Sequence, residues 1–183
     1  LEYRGYDSSG VALLADGKTK IYKAEGKLQN LKDLLATKED EIKTANVGIG
    51  HIRWATHGVP NEINAHPHTC NCGKLALVHN GIIENFAEIK TELIEKGSIF
   101  KSETDTEVVA HLVAQIYSET NDLKEAVRLA TKRLEGAYAL CVIPQDVPNT
   151  IIATRRNAPL LLGVGEGENF AASDVPAVIE YTK

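Results

Sequence analysis

The segment His51-Ile-Arg-Trp-Ala-Thr-His57-Gly58 ends an apolar, strand-like run with a guanidinium, an indole, a hydroxyl and an imidazole in close succession. Such a set suits a small zwitterion. Arg53, at the end of a rigid element and the start of a loop, can aim into a cleft and grip a carboxylate through two parallel hydrogen bonds. The plain alternative is a surface arginine at a strand end. Trp54, the sole tryptophan, fits either the core or a lid over a pocket. Asn80-Gly81 closes another apolar run, where a side-chain amide and an unhindered backbone N–H can face one oxygen. Paired donors of this kind form an oxyanion hole, each contributing typically ~3–4 kcal/mol in the transition state; the same dipeptide also makes ordinary turns. Asp105 falls in the first turn of an expected helix, where its charge complements the dipole. Because Thr104 already suits the N-cap, Asp105 is left to bind an ammonium group.

His66-Pro-His68-Thr-Cys70-Asn-Cys72 raises zinc as a second chemistry, since His and Cys are its usual ligands. The spacing argues against it, because paired zinc ligands are usually separated by two or more residues. A thiol nucleophile at Cys70 or Cys72 has no local signature to support it. Cys141, within Ala-Leu-Cys-Val-Ile, reads as a buried apolar residue.

The elements that must position these groups follow from periodicity. Val11–Leu14 and Lys20–Lys23 flank Asp16-Gly17 as a hairpin. Leu28, Leu31, Leu34 and Leu35 predict a short amphipathic helix that stops before Lys38-Glu-Asp-Glu41. Asn46–Trp54 is a strand, residues 58–73 a loop, and Leu75–His79 a strand stopped by Asn80-Gly81. Phe86, Ile89, Leu93 and Ile94 share a helical face capped by Gly97; a second helix starts at the Thr104-Asp-Thr-Glu107 capping box, and a third carries Leu123, Ala126, Val127, Ala130 and Leu134. Ala137–Ile143, Thr150–Thr154 and Leu160–Val164 close the set as strands. This order predicts an α/β (α+β) fold with largely antiparallel sheets covered by helices.

The 183 residues, 43% hydrophobic and 25% charged, allow one sizeable core and predict a single domain over residues 1–183. A net charge of −5 supplies no basic stripe, which argues against a nucleic-acid partner. No apolar run approaches the roughly 20 residues that span a bilayer, so no membrane association is expected. Three cysteines, an odd and sparse set, fit a reducing, cytoplasmic setting. The chain opens on Leu1 and holds no methionine, which predicts a piece of a longer protein.

Glu2-Tyr-Arg-Gly-Tyr-Asp-Ser-Ser-Gly10, His51–Gly58, Asn64-Ala-His-Pro-His68, His79-Asn-Gly-Ile-Ile-Glu-Asn85 and Ser102-Glu-Thr-Asp-Thr-Glu-Val108 occur in order. Over its whole length the chain resembles the N-terminal-nucleophile glutaminase domain of the glutamine-fructose-6-phosphate aminotransferases. Related amidophosphoribosyltransferases and asparagine synthetases share the arginine and the Asn-Gly pair, but lack the tryptophan at position 54 and usually carry Gln or Pro where Tyr6 stands.

The resemblance implies a four-layer α/β/β/α sandwich and L-glutamine as substrate. It implies that Arg53 holds the α-carboxylate, Asp105 the α-ammonium, and Asn80 with Gly81 the tetrahedral oxyanion. Thr56 and His57 would line the pocket, Trp54 would gate ammonia, and Arg4 would order the nucleophile. No cofactor and no metal are implied, and the parent would be a homo-oligomer that aminates fructose 6-phosphate to glucosamine 6-phosphate. The family's terminal Cys and first strand should precede Leu1, and its two sugar isomerase domains should follow Lys183. The expectation is therefore that this chain binds glutamine without hydrolysing it and, lacking a central strand, is marginally stable or aggregation-prone. A non-enzymatic module, either a glutamine sensor or a metal-binding loop protein, is the rival class.

Overall fold

A computed structural model of the chain describes residues 7–54 and 58–182. Strands β1 (Ser8–Ala15) and β2 (Lys18–Glu25) form the expected hairpin. Its turn needs two positive φ angles, 53° at Asp16 and 70° at Gly17, which Asp and Gly reach at little cost. β3 (Val47–Arg53) pairs antiparallel with the other edge of β1, giving the order β2-β1-β3. Helix α1 (Leu28–Ala36) packs on β2 and β1. The charged stretch after it does not remain irregular: Glu39–Ile42 forms one further turn, α2, held at its start by the Lys38–Glu41 ion pair at 2.8 Å.

The second sheet has the order β4-β5-β6-β7, again antiparallel: β4 (His68–Thr69), β5 (Leu75–Ile83), β6 (Gly136–Pro144) and β7 (Ile152–Arg156). β5 runs past the point where Asn80-Gly81 was expected to stop it. Its partner β6 stays in register throughout, placing Asn80 opposite Ala139 and Gly81 opposite Tyr138, and this pairing outweighs the local turn preference. A final hairpin, β8 (Leu161–Val164) with β9 (Asn169–Ala172), includes a strand that periodicity did not predict.

The apolar run Leu75–Val78 lacks polar alternation because both faces of β5 are covered. Leu75 and Leu77, with Tyr138, Leu140 and Val142, point into the main core against helices α3 (Phe86–Glu95), α4 (Asp105–Thr120) and α5 (Leu123–Thr131). Ala76 and Val78, with Cys141 and Ile143, face Ala12 and Ile49 of the first sheet. The layers are therefore α1–α2, first sheet, second sheet, α3–α5, the expected sandwich. Thr104 caps α4 by accepting from the Glu107 N–H at 3.3 Å, and Asp122 caps α5 by accepting from the Glu125 N–H at 3.0 Å. No helix among the described residues is long and apolar enough to cross a membrane.

Candidate functional site

A cavity of about 580 Å³ opens where β3 and β5 end and α4 begins, bounded by Arg53, Trp54, His66, Asn80, Gly81 and Asp105 among others. Three elements thus deliver the polar groups that the sequence singled out. Arg4, Thr56 and His57 lie outside the described residues.

Arg53 is the last residue of β3 and is only 4% exposed. Its guanidinium donates from Nη1 to the Val59 carbonyl and from Nη2 to the Gly58 carbonyl, both at 3.2 Å. Burial draws its pKa down, while Asp7, Asp105 and Glu103 oppose that shift and favour the charged form. Asn64 braces the loop that supplies these carbonyls. Its Nδ2 donates to the Val59 carbonyl at 3.0 Å and to Glu103 Oε2 at 3.2 Å, and its Oδ1 accepts from the Glu103 N–H at 3.0 Å. The sequence offered Asn64 only as part of a motif, with no role.

Asp105 occupies the first position of α4, behind the Thr104 cap. It is not free, as the capping argument supposed: Oδ2 accepts from the Ile83 N–H at 2.9 Å and Oδ1 from the Thr106 hydroxyl at 3.4 Å. A carboxylate offers about four acceptor positions, so two are left by the described residues for an ammonium group. Asn80 lies half-buried on the cavity side of β5. Gly81 has φ +130°, and a Cβ there would lie 2.1 Å from the Ala137 carbonyl oxygen, so only glycine fits the approach of β6. Trp54 is 71% exposed at the cavity mouth, which makes it a rim residue and excludes the core alternative.

Behind these groups stands a histidine cluster that spacing alone did not reveal. His51 stacks on His66 with ring centroids 4.2 Å apart, and His66 meets His68 edge-on at 5.1 Å. Burial holds all three neutral, lowering His51 and His68 to about 3 and His66 well below the ordinary value. Thr106 Oγ1 lies 3.2 Å from His66 Nε2 and 3.0 Å from His79 Nδ1, and Thr104 Oγ1 lies 3.1 Å from His68 Nε2.

Two of the three cysteines sit where burial disfavours a thiolate. Cys141 lines the cavity rather than being wholly buried, but burial pushes its thiol up to about 11, away from a thiolate. Cys72 is raised by burial and by its contact with Cys70. Among the described residues no group of three or more His, Cys, Asp or Glu is placed to hold a metal ion. His66 and His68 are engaged by threonine hydroxyls instead.

A buried cation and a buried carboxylate face one cavity beside an Asn-Gly pair, an arrangement that complements a small zwitterion carrying a polar side chain. The glutamine amidotransferase domain family matches residues 9–183, and the chain belongs to it. The whole chain is 57% identical to the glutamine-fructose-6-phosphate aminotransferase (isomerizing) of Streptomyces coelicolor and 55% identical to that of Aquifex aeolicus. It spans 29% and 30% of their lengths, under a third of each. Among solved structures, an allosteric regulatory enzyme of purine biosynthesis superposes with a TM-score of 0.81 at 29% identity, covering 100% of this chain and 39% of that one. The glutamine phosphoribosylpyrophosphate amidotransferase of B. subtilis gives 0.77 at 29% identity, covering 99% of this chain and 39% of that one.

Proposed function

We propose that the cavity binds L-glutamine and that the intact protein transfers its amide nitrogen to fructose 6-phosphate, yielding glucosamine 6-phosphate and L-glutamate. The observation that carries this reading is the pair of opposite charges, Arg53 and Asp105, set on one cavity whose floor ends in Asn80 and Gly81. Arg53 grips the α-carboxylate and Asp105 accepts from the α-ammonium, leaving the side-chain amide to extend toward Asn80 and Gly81. There the Asn80 amide and the Gly81 N–H stabilise the oxyanion that forms when a thiolate attacks the amide carbon. The thiolate forms an acyl-enzyme, ammonia leaves, and water releases glutamate. In this scheme the thiolate is that of the terminal Cys which the resemblance to the aminotransferases implies; the roles it implies for Arg4, Thr56 and His57 fall on residues outside the described ones. Trp54, exposed at the mouth, gates the route of ammonia. The identity to the aminotransferases favours fructose 6-phosphate as acceptor, since the phosphoribosylpyrophosphate enzyme is the more distant relative.

Amide-labelled [15N]glutamine, supplied to the intact protein with fructose 6-phosphate, should give labelled glucosamine 6-phosphate. Label appearing only on a ribosyl acceptor, or on no sugar at all, would refute the assignment.

A further inference from the structure

Thr106 is fully buried in the cavity wall, and its hydroxyl joins three groups of the site: His66, His79 and Asp105. The backbone N–H of His79 donates to His66 Nδ1 at 3.4 Å, so that nitrogen is the acceptor and the neutral ring carries its proton on Nε2. His66 Nε2–H therefore donates to Thr106 Oγ1 at 3.2 Å. The hydroxyl has one proton left to place, toward His79 Nδ1 at 3.0 Å or toward Asp105 Oδ1 at 3.4 Å. The Asp105 carboxylate decides between them. With the hydroxyl donating to Oδ1 and His79 Nδ1–H donating to the hydroxyl, two positive dipole ends turn toward the carboxylate. His79 Nδ1 then also lies 3.8 Å from Oδ2. The opposite arrangement would direct the lone pair of His79 Nδ1 toward that carboxylate region.

We propose that Thr106 is a positioning residue for the ammonium-binding arm of the glutamine site: its hydroxyl, oriented by His66 and His79, fixes the Asp105 carboxylate against rotation. Among the described residues the Ile83 N–H holds Oδ2 and the Thr106 hydroxyl is the hydrogen-bond partner of Oδ1, so losing the hydroxyl loosens Oδ1 from the direction that an α-ammonium needs. The inference rests on the assignment of Asp105 to the α-ammonium. It adds a residue of the cavity wall, enclosed behind Asp105, that sets the selectivity of the site for an α-amino acid.

The test compares Thr106→Val, which keeps the shape and removes the hydroxyl, with Thr106→Ser, which keeps the hydroxyl. The intact protein is used, and the ligands are L-glutamine and 4-carbamoylbutanoate, which is glutamine without its α-amino group. T106V should raise the glutamine KM about tenfold with kcat changed less than twofold, and should collapse the preference for glutamine over the des-amino analogue. T106S should stay within twofold of wild type on both measures. A purely structural role would weaken both ligands equally and leave the preference intact, which overturns the proposal. Thr106→Ala, which removes the hydroxyl and leaves no methyl against His66 and His79, covers the case in which T106V does not fold; wild-type preference in T106A would also overturn it. Asp105→Asn run in parallel separates the two claims. Collapse of the preference in D105N but not in T106V sinks only the role of Thr106, whereas an intact preference in D105N sinks the assignment of Asp105 beneath it.

Discussion

Lowering the pH from 7.5 to 5.5 should destabilise the protein through three imidazoles that the fold keeps neutral. His66 and His68 are buried, and His51 is stacked beneath His66. Unfolded, each titrates near 6.5; folded, His51 and His68 are lowered to about 3 and His66 further still, chiefly by burial. Below pH 6.5 the unfolded chain therefore binds protons that the folded chain refuses, so stability falls as pH falls and continues to fall toward pH 3. Each group costs about 1.4 kcal/mol between pH 7.5 and 5.5, and the three together ~4 kcal/mol. For a domain of this size that lowers the melting temperature by about 10 °C. Glu107, held at about 2 by hydrogen bonds that outweigh its burial, has the same sign of effect but acts only below its ordinary 4.5. The chosen window therefore isolates the histidines. Thermal melts followed by circular dichroism across this range provide the measurement. His68→Gln, which can still reach the Thr104 hydroxyl but cannot take a proton, should remove about a third of the pH dependence. A melting temperature unchanged within ~2 °C from pH 7.5 to 5.5 would refute the claim that these rings are enclosed and neutral.

Gly81→Ala should cost about 3 kcal/mol or more, read from the urea midpoint, because the new Cβ meets the Ala137 carbonyl and the backbone sits at φ +130°. An alanine variant as stable as wild type would show that β5 and β6 do not approach as described. Arg53→Lys keeps the charge but loses the fork held by the Gly58 and Val59 carbonyls. Glutamine affinity measured by calorimetry should fall about tenfold or more, and an unchanged affinity would mean that the guanidinium does not take the carboxylate.

Local signals that are strong on their own survived into the structure. The Asp16-Gly17 turn, the Thr104 cap and the Leu, Ile and Val stripes of α3, α4 and α5 each name their element without help from the rest of the chain. The misreadings arose where a distant partner decides. Asn80-Gly81 looks like a strand terminator until β6 pairs across it. β9 is only four residues long, and its pairing with β8 rather than its own pattern makes it a strand. The same division runs through the site. Arg53 and Asp105 stand at element ends and Asn80-Gly81 interrupts an apolar run, so spacing, charge and residue type point to them. Thr106 and His66 are 40 residues apart, and nothing in either segment announces the hydrogen bond that joins them. Asp105 shows both sides of this: its position at the helix start was legible, but its bond to the Ile83 N–H depends on how α4 meets β5.

The central claim is tested most directly by a crystal structure of the protein with L-glutamine bound. The α-carboxylate should lie within ~3 Å of the Arg53 guanidinium and the α-ammonium within ~3 Å of the Asp105 carboxylate, with the side-chain amide directed at Asn80 and Gly81. Glutamine bound with its carboxylate turned away from Arg53, or seated instead in the separate cavity beside Lys23, His68 and Glu107, would contradict the account.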